Sequence, residues 1–108
     1  MHAAFTQAIE ADPGFAEAWN KRATAHFVAG DFTASIADIG ATLIREPRHY
    51  GALGGLGQIL LQSGETAAAL QAFNAALSIH PHLAPIRELA AGLRNTADRP
   101  PPERPTLH

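Results

Sequence analysis

The sequence predicts an all-α fold of helical hairpins stacked in register. Pro13, Pro47 and Pro81 stand 34 residues apart, as do Gly30 and Gly64. Between these breaks, apolar residues recur at three- and four-residue spacings, the period of an amphipathic helix. Aligning residues 16–49 on 50–83 gives six identities: Ala18/Ala52, Gly30/Gly64, Ala34/Ala68, Ala41/Ala75, Leu43/Leu77 and Pro47/Pro81. The glycine and proline among them fall where a hairpin must turn or stop.

Each element follows from local chemistry. Residues 2–11 read as a lone helix whose Phe5, Ala8 and Ile9 match Phe73, Ala76 and Leu77 one unit later. The chain therefore opens on a half repeat, 1–15. Repeat 16–49 begins with a helix at 16–28 carrying Trp19, Ala23 and His26 on one stripe. Gly30 suits the left-handed position after that helix, and Asp31 suits the N-cap of the next. The second helix, 32–45, places Phe32, Ile36, Ile39 and Leu43 on its apolar stripe. Pro47 prevents further extension, because proline lacks an amide donor and disfavours helix in the residue before it. Repeat 50–83 repeats the plan with helices at 50–62 and 66–79, and a helix at 84–96 closes the array with Ile86, Leu89, Ala90 and Leu93. Its Arg87, Glu88, Arg94 and Asn95 form a polar outer face, as a terminal unit requires. The tail from 97 to 108 holds four prolines and only Leu107 as a bulky apolar residue, a composition expected to be disordered. Its "RPPPERP" also fits an Arg-x-x-Pro-x-x-Pro pattern that aromatic grooves recognise.

The second repeat offers Leu53, Leu56, Gly57, Leu60, Ala69, Phe73 and Pro81, and the first offers Trp19, Arg22, Ala23, His26, Ser35, Ile39 and Pro47. This series resembles the tetratricopeptide repeat, whose pattern runs Trp, Leu, Gly, Tyr, Ala, Phe, Pro. The resemblance covers residues 1–96 and implies a short right-handed solenoid. It also implies that the first helix of each pair lines a concave binding face.

Composition narrows the function. The chain has 108 residues, enough for one domain, and a formal charge of −2. That balance gives no electrostatic footprint for nucleic acid or an anionic membrane surface. The absence of cysteine excludes disulfides, thiolate metal sites and a cysteine nucleophile. No apolar run approaches a membrane span, and "MHAAFTQAIEADP" lacks the regions of a signal peptide. The expectation is a soluble chain without a targeting signal, cytoplasmic, or periplasmic if cut from a longer exported protein. "FAEAWNKRATAHF" and "EPRHYGALGGLG" are similar to small bacterial proteins of the tetratricopeptide family, whose longer versions often carry an export signal.

The stretch "GALGGLG" sits inside a helix, follows no strand and lacks a Lys-Ser/Thr pair, so it is not a phosphate loop. Gly57 corresponds to the closest approach of the paired helices. Gly51, Gly54 and Gly55 fall at groove-lining positions; they either give a partner's backbone close access or let a neighbouring helix pack closely. The remaining groove positions are Glu17, Asn20, Lys21, Thr24, Phe27, Val28, Gln58, Leu61 and Gln62. Their mixed character suits an extended peptide or a helix. Phe27 stands out as a large aromatic outside the core stripe. The clamp that grips acidic chaperone tails in related domains reads Asn20, Thr24, Gly55, Pro85 and Leu89 here, which speaks against that ligand.

Arg22 stands where the family has leucine, and a guanidinium among packed helices needs a partner. Asp38 is the expected one, with Glu10 second. His49, His80 and His82 lie on one edge, but a pair at i, i+2 across a proline is not a metal-ligand spacing. A His26–Ser35 dyad lacks an orienting group and an oxyanion hole, so no catalytic site, metal site or cofactor is expected. The reading is a non-enzymatic module that binds an unidentified protein or peptide in its concave groove. The alternative is structural self-assembly as a homodimer through the bare N-terminal half repeat or the glycine-rich helix.

Overall fold

The computed structural model describes the backbone of residues 3–98 and the side chains of residues 3–95. Six helices follow one another: α1 (Ala3–Ala11), α2 (Ala16–Val28), α3 (Phe32–Arg45), α4 (Tyr50–Gln62), α5 (Thr66–Ile79) and α6 (Ala84–Asp98). Among the described residues there is no strand. The boundaries of α2 to α5 match the sequence reading, and α6 runs two residues past the expected 96. The rest of the proline-rich tail, with its Arg-x-x-Pro-x-x-Pro pattern, lies outside the described residues.

The punctuation works as its chemistry dictates. Gly30 and Gly64 adopt φ values of 82° and 80°, the left-handed region that favours glycine. After α2, Gly30 N donates to Phe27 O and Asp31 N to His26 O. After α4, Gly64 N donates to Leu61 O and Glu65 N to Leu60 O. Both turns are Schellman motifs that satisfy the last carbonyls of the helix. Asp31 then caps α3 by accepting from Ala34 N at 3.2 Å. Glu65 occupies the equivalent position before α5 but makes no side-chain cap.

Packing is between near neighbours in sequence: α2 on α3, α4 on α5, α5 on α6, with α1 on α2 and α4 against both α2 and α3. One core cluster holds Ala23, Ile39, Ala52 and Ile59. A second holds Ala69, Phe73 and Ala90. Gly57 lies against Phe73, where an added Cβ would meet the ring at 2.5 Å, so α4 and α5 approach this closely only because the side chain is missing.

One expectation changes in part. The expected α3 stripe holds for Phe32, Ile39 and Leu43, which join the first core cluster, but not for Ile36; Ser35, Asp38 and Thr42 are buried beside Ile39. Ser35 Oγ donates to Ala23 O at 2.7 Å and Thr42 Oγ1 to Asp38 O at 2.8 Å, so each buried hydroxyl has an acceptor. With these polar residues satisfied inside, Ile36 is left outward, 45% exposed. In α1, Ile9 is the buried residue, covered by the fold itself.

Candidate partner-binding groove

Between α2, α4 and α6 lies a hollow of about 290 Å³. Its wall includes Phe27 and Ile39 on the first hairpin, Tyr50 at the start of α4, and Leu83 and Ile86 at the start of α6. Gly51, Gly54 and Gly55 form the α4 side, and Asn20, Thr24 and Gln58 supply polar atoms. No charged side chain lines it. A second hollow opens on the other side of α2, lined by Phe5, Glu17, Lys21, Val28 and, again, Asn20 and Thr24. The two hollows share Asn20 and Thr24 along α2. Leu61 and Gln62 line neither hollow; Leu61 packs against the second core cluster.

The three unexplained glycines take different roles. An added Cβ at Gly54 would meet Ile86 Cδ1 at 3.4 Å, ordinary contact, so this glycine lies beside α6 without being required by it. At Gly51 the neighbours are the His49 ring at 3.2 Å and Asn20 Nδ2 at 3.6 Å. At Gly55 an added Cβ would make ordinary contact with Ile39 at 3.8 Å. Gly55 thus has room, and it borders the hollow. Phe27 is both wall and core: it packs on the first cluster, with its ring centroid 5.5 Å from that of Phe32.

Two polar devices hold the groove helices in place. Arg22 Nε donates to Asp38 Oδ2 at 2.7 Å and Nη2 to Asp38 Oδ1 at 2.8 Å, while Nη1 reaches Thr6 Oγ1 at 3.3 Å. Hydrogen bonding to Asp38 outweighs the opposing effect of burial and, with the carboxylate charge, holds the Arg22 pKa above its ordinary value. Asp38 is the expected partner; His26 Nε2 also lies 3.6 Å from its Oδ2.

The second device was not legible in the sequence. His49 Nδ1 accepts from Ala52 N at 3.0 Å and caps α4, while Nε2 lies 3.1 Å from Glu17 Oε2 on α2. An imidazole that accepts at Nδ1 carries its proton on Nε2 and donates it to Glu17. Burial pushes the Glu17 pKa up, but hydrogen bonds from His49 and Asn20, with the charge of Lys21, outweigh it and leave it below the ordinary value. His49 thus does structural work. His80 lies against Tyr50, with ring centroids 4.9 Å apart. Among the described residues no group of three or more His, Cys, Asp or Glu could hold a metal ion. The Ser35 hydroxyl is committed to Ala23 O, so the His26–Ser35 dyad does not assemble.

A family model for the tetratricopeptide repeat matches residues 2–39 and 21–84. The chain belongs to the tetratricopeptide repeat family. A tetratricopeptide repeat-containing protein of Rhizobium etli is 45% identical over 75 residues, 69% of this chain and 37% of the relative. The chain thus spans less than two-fifths of that relative's length. Tetratricopeptide repeats generally mediate protein–protein interaction. No described helix is long and apolar enough to cross a membrane.

Proposed function

We propose that this tetratricopeptide array is a non-enzymatic interaction module that binds a peptide segment of another protein on its concave face. The hollow between α2, α4 and α6 seats an apolar side chain of that segment. One observation carries the reading: a site walled by Phe27, Ile39, Tyr50 and Ile86, free of charged side chains, with the amides of Asn20 and Gln58 at its edge. Such amides can donate to and accept from a peptide backbone. The volume is at the small end for ligand pockets, which suits one or two side chains rather than a whole cofactor.

Selection of peptides from a displayed random library tests this. The expected result is convergence on a bulky apolar residue, with binding lost in Gly55→Leu and retained in an outer-face variant, Asn74→Lys. Selected peptides that bind Gly55→Leu as well as the parent would place recognition outside this hollow.

A further inference from the structure

A run of hydrogen bonds joins the start of α4 to the groove face of α2, and its chemistry fixes the direction of every step. It begins at the Ala52 backbone N–H, which can only donate and which reaches His49 Nδ1 at 3.0 Å. A neutral ring that accepts at Nδ1 keeps its proton on Nε2, and that nitrogen stands 3.1 Å from Glu17 Oε2. An ionised carboxylate only accepts. Asn20, at 3.5 Å from the other oxygen of Glu17, must therefore offer its amide nitrogen. The same nitrogen is the end of Asn20 that faces α4, 3.6 Å from where a Cβ on Gly51 would stand. Oδ1, on the opposite edge of the planar amide, has no partner among the described residues.

Asn20 borders both hollows. The other polar residue common to them, Thr24, has its hydroxyl proton committed to the Asn20 backbone oxygen at 3.1 Å. One unit later, the positions of Glu17, Asn20 and His49 are held by Gly51, Gly54 and Leu83. That hairpin folds without any of the three, so the run is not a requirement of the architecture. Its origin is nonetheless firmly held, since the His49 side chain is only 11% exposed against 42% for Glu17.

We propose that His49 and Glu17 are positioning residues for Asn20: they hold its carbonyl oxygen toward the groove, so that a bound segment must present a backbone N–H there. This rests on the groove reading above and narrows it. A free amide turns over and serves a donor or an acceptor alike, whereas one locked against a carboxylate serves donors only. The ligand is thus a segment with a free N–H where it passes Asn20, and a proline or an N-methylated residue at that place is refused.

Glu17→Gln isolates this role, because it keeps the size of the side chain and reverses the polarity. The one oxygen of the glutamine accepts from His49 Nε2, its NH2 turns to Asn20, and Asn20 must swing Oδ1 inward and Nδ2 toward the groove. In the free chain, nuclear Overhauser contacts from the Asn20 side-chain amide protons to the Gly51 α-protons should be strong in the parent and weak in Glu17→Gln. The second probe is a peptide selected on the parent and N-methylated at each residue in turn. One position should lose affinity roughly tenfold. That loss should vanish in Asn20→Ala and in Glu17→Gln, both of which bind the unmethylated peptide more weakly by a similar factor. A merely structural Glu17 would weaken all these peptides equally and leave the sensitivity to N-methylation intact. That result, a peptide with no sensitive position, or unchanged Asn20 contacts in Glu17→Gln overturns the proposal and leaves groove binding in place. A parent that selects no peptide overturns the groove reading itself, and the role of Asn20 with it.

Discussion

Arg22 and Asp38 meet across the first hairpin through two near-parallel charge-assisted hydrogen bonds of 2.7 and 2.8 Å. Asp38 is almost fully buried, and both its oxygens accept from that guanidinium. Arg22→Leu, which restores the residue usual in the family, should therefore destabilise the fold by about 3 kcal/mol, because it strands a buried carboxylate. Arg22→Leu/Asp38→Leu should return close to the parent. Urea denaturation of the two single variants and the double variant measures the coupling; a harmless Arg22→Leu would mean that water reaches Asp38 readily.

The glycines of α4 should respond in opposite directions. Gly57→Ala drives a methyl into the Phe73 ring and should cost about 1–3 kcal/mol, partly relieved by Phe73→Leu. Gly55→Ala has space beside Ile39 and should gain up to about 1 kcal/mol from helix propensity. Thermal melts of the pair check both signs at once.

His49 is expected to behave as a cap. His49→Ala removes the acceptor for Ala52 N and should cost about 1 kcal/mol, whereas His49→Asn keeps a capping oxygen and most of the stability. Nitrogen-15 spectra of the imidazole should show the proton on Nε2 in the neutral form. A proton on Nδ1 would contradict the cap.

Glu17 makes stability depend on pH on the acid side. Its folded pKa lies below the ordinary 4.5, so the folded state holds the carboxylate more tightly charged than the unfolded chain does. Its contribution is fully present above the unfolded value and is lost as pH falls through the folded one. Glu17→Gln should flatten that part of the stability profile below about pH 4.5. The test is urea midpoints of parent and variant from pH 3 to 7, which should converge at the acid end and diverge toward neutrality.

Helix boundaries were legible because Gly30, Gly64, Pro47 and Pro81 act locally, through backbone geometry that needs no tertiary context. The Arg22–Asp38 pair was legible for a different reason: a charge at an apolar position demands a partner, and few were in reach. Only Ile36 of the α3 stripe was misread, because Ser35, Asp38 and Thr42 fill the inward side with polar groups whose partners are other helices or the preceding turn. Hydrophobic spacing alone assigns such residues to water. His49 could not be read at all, since its ring joins Ala52 nearby to Glu17, 32 positions away in sequence. The neighbour of Gly54, Ile86 on α6, was not legible, because it lies 32 positions away in sequence.

Because each helix leans on its neighbours along the chain rather than on a shared centre, cooperativity in this molecule is a matter of coupled links. Opening should start at the ends, and amide protons of α1 should exchange sooner than those of α4, which touches α2, α3 and α5. The groove sits on the interior links, across α2, α4 and the start of α6. A peptide seated there would bind three links at once, so its binding energy would appear as slowed exchange far beyond the residues it touches.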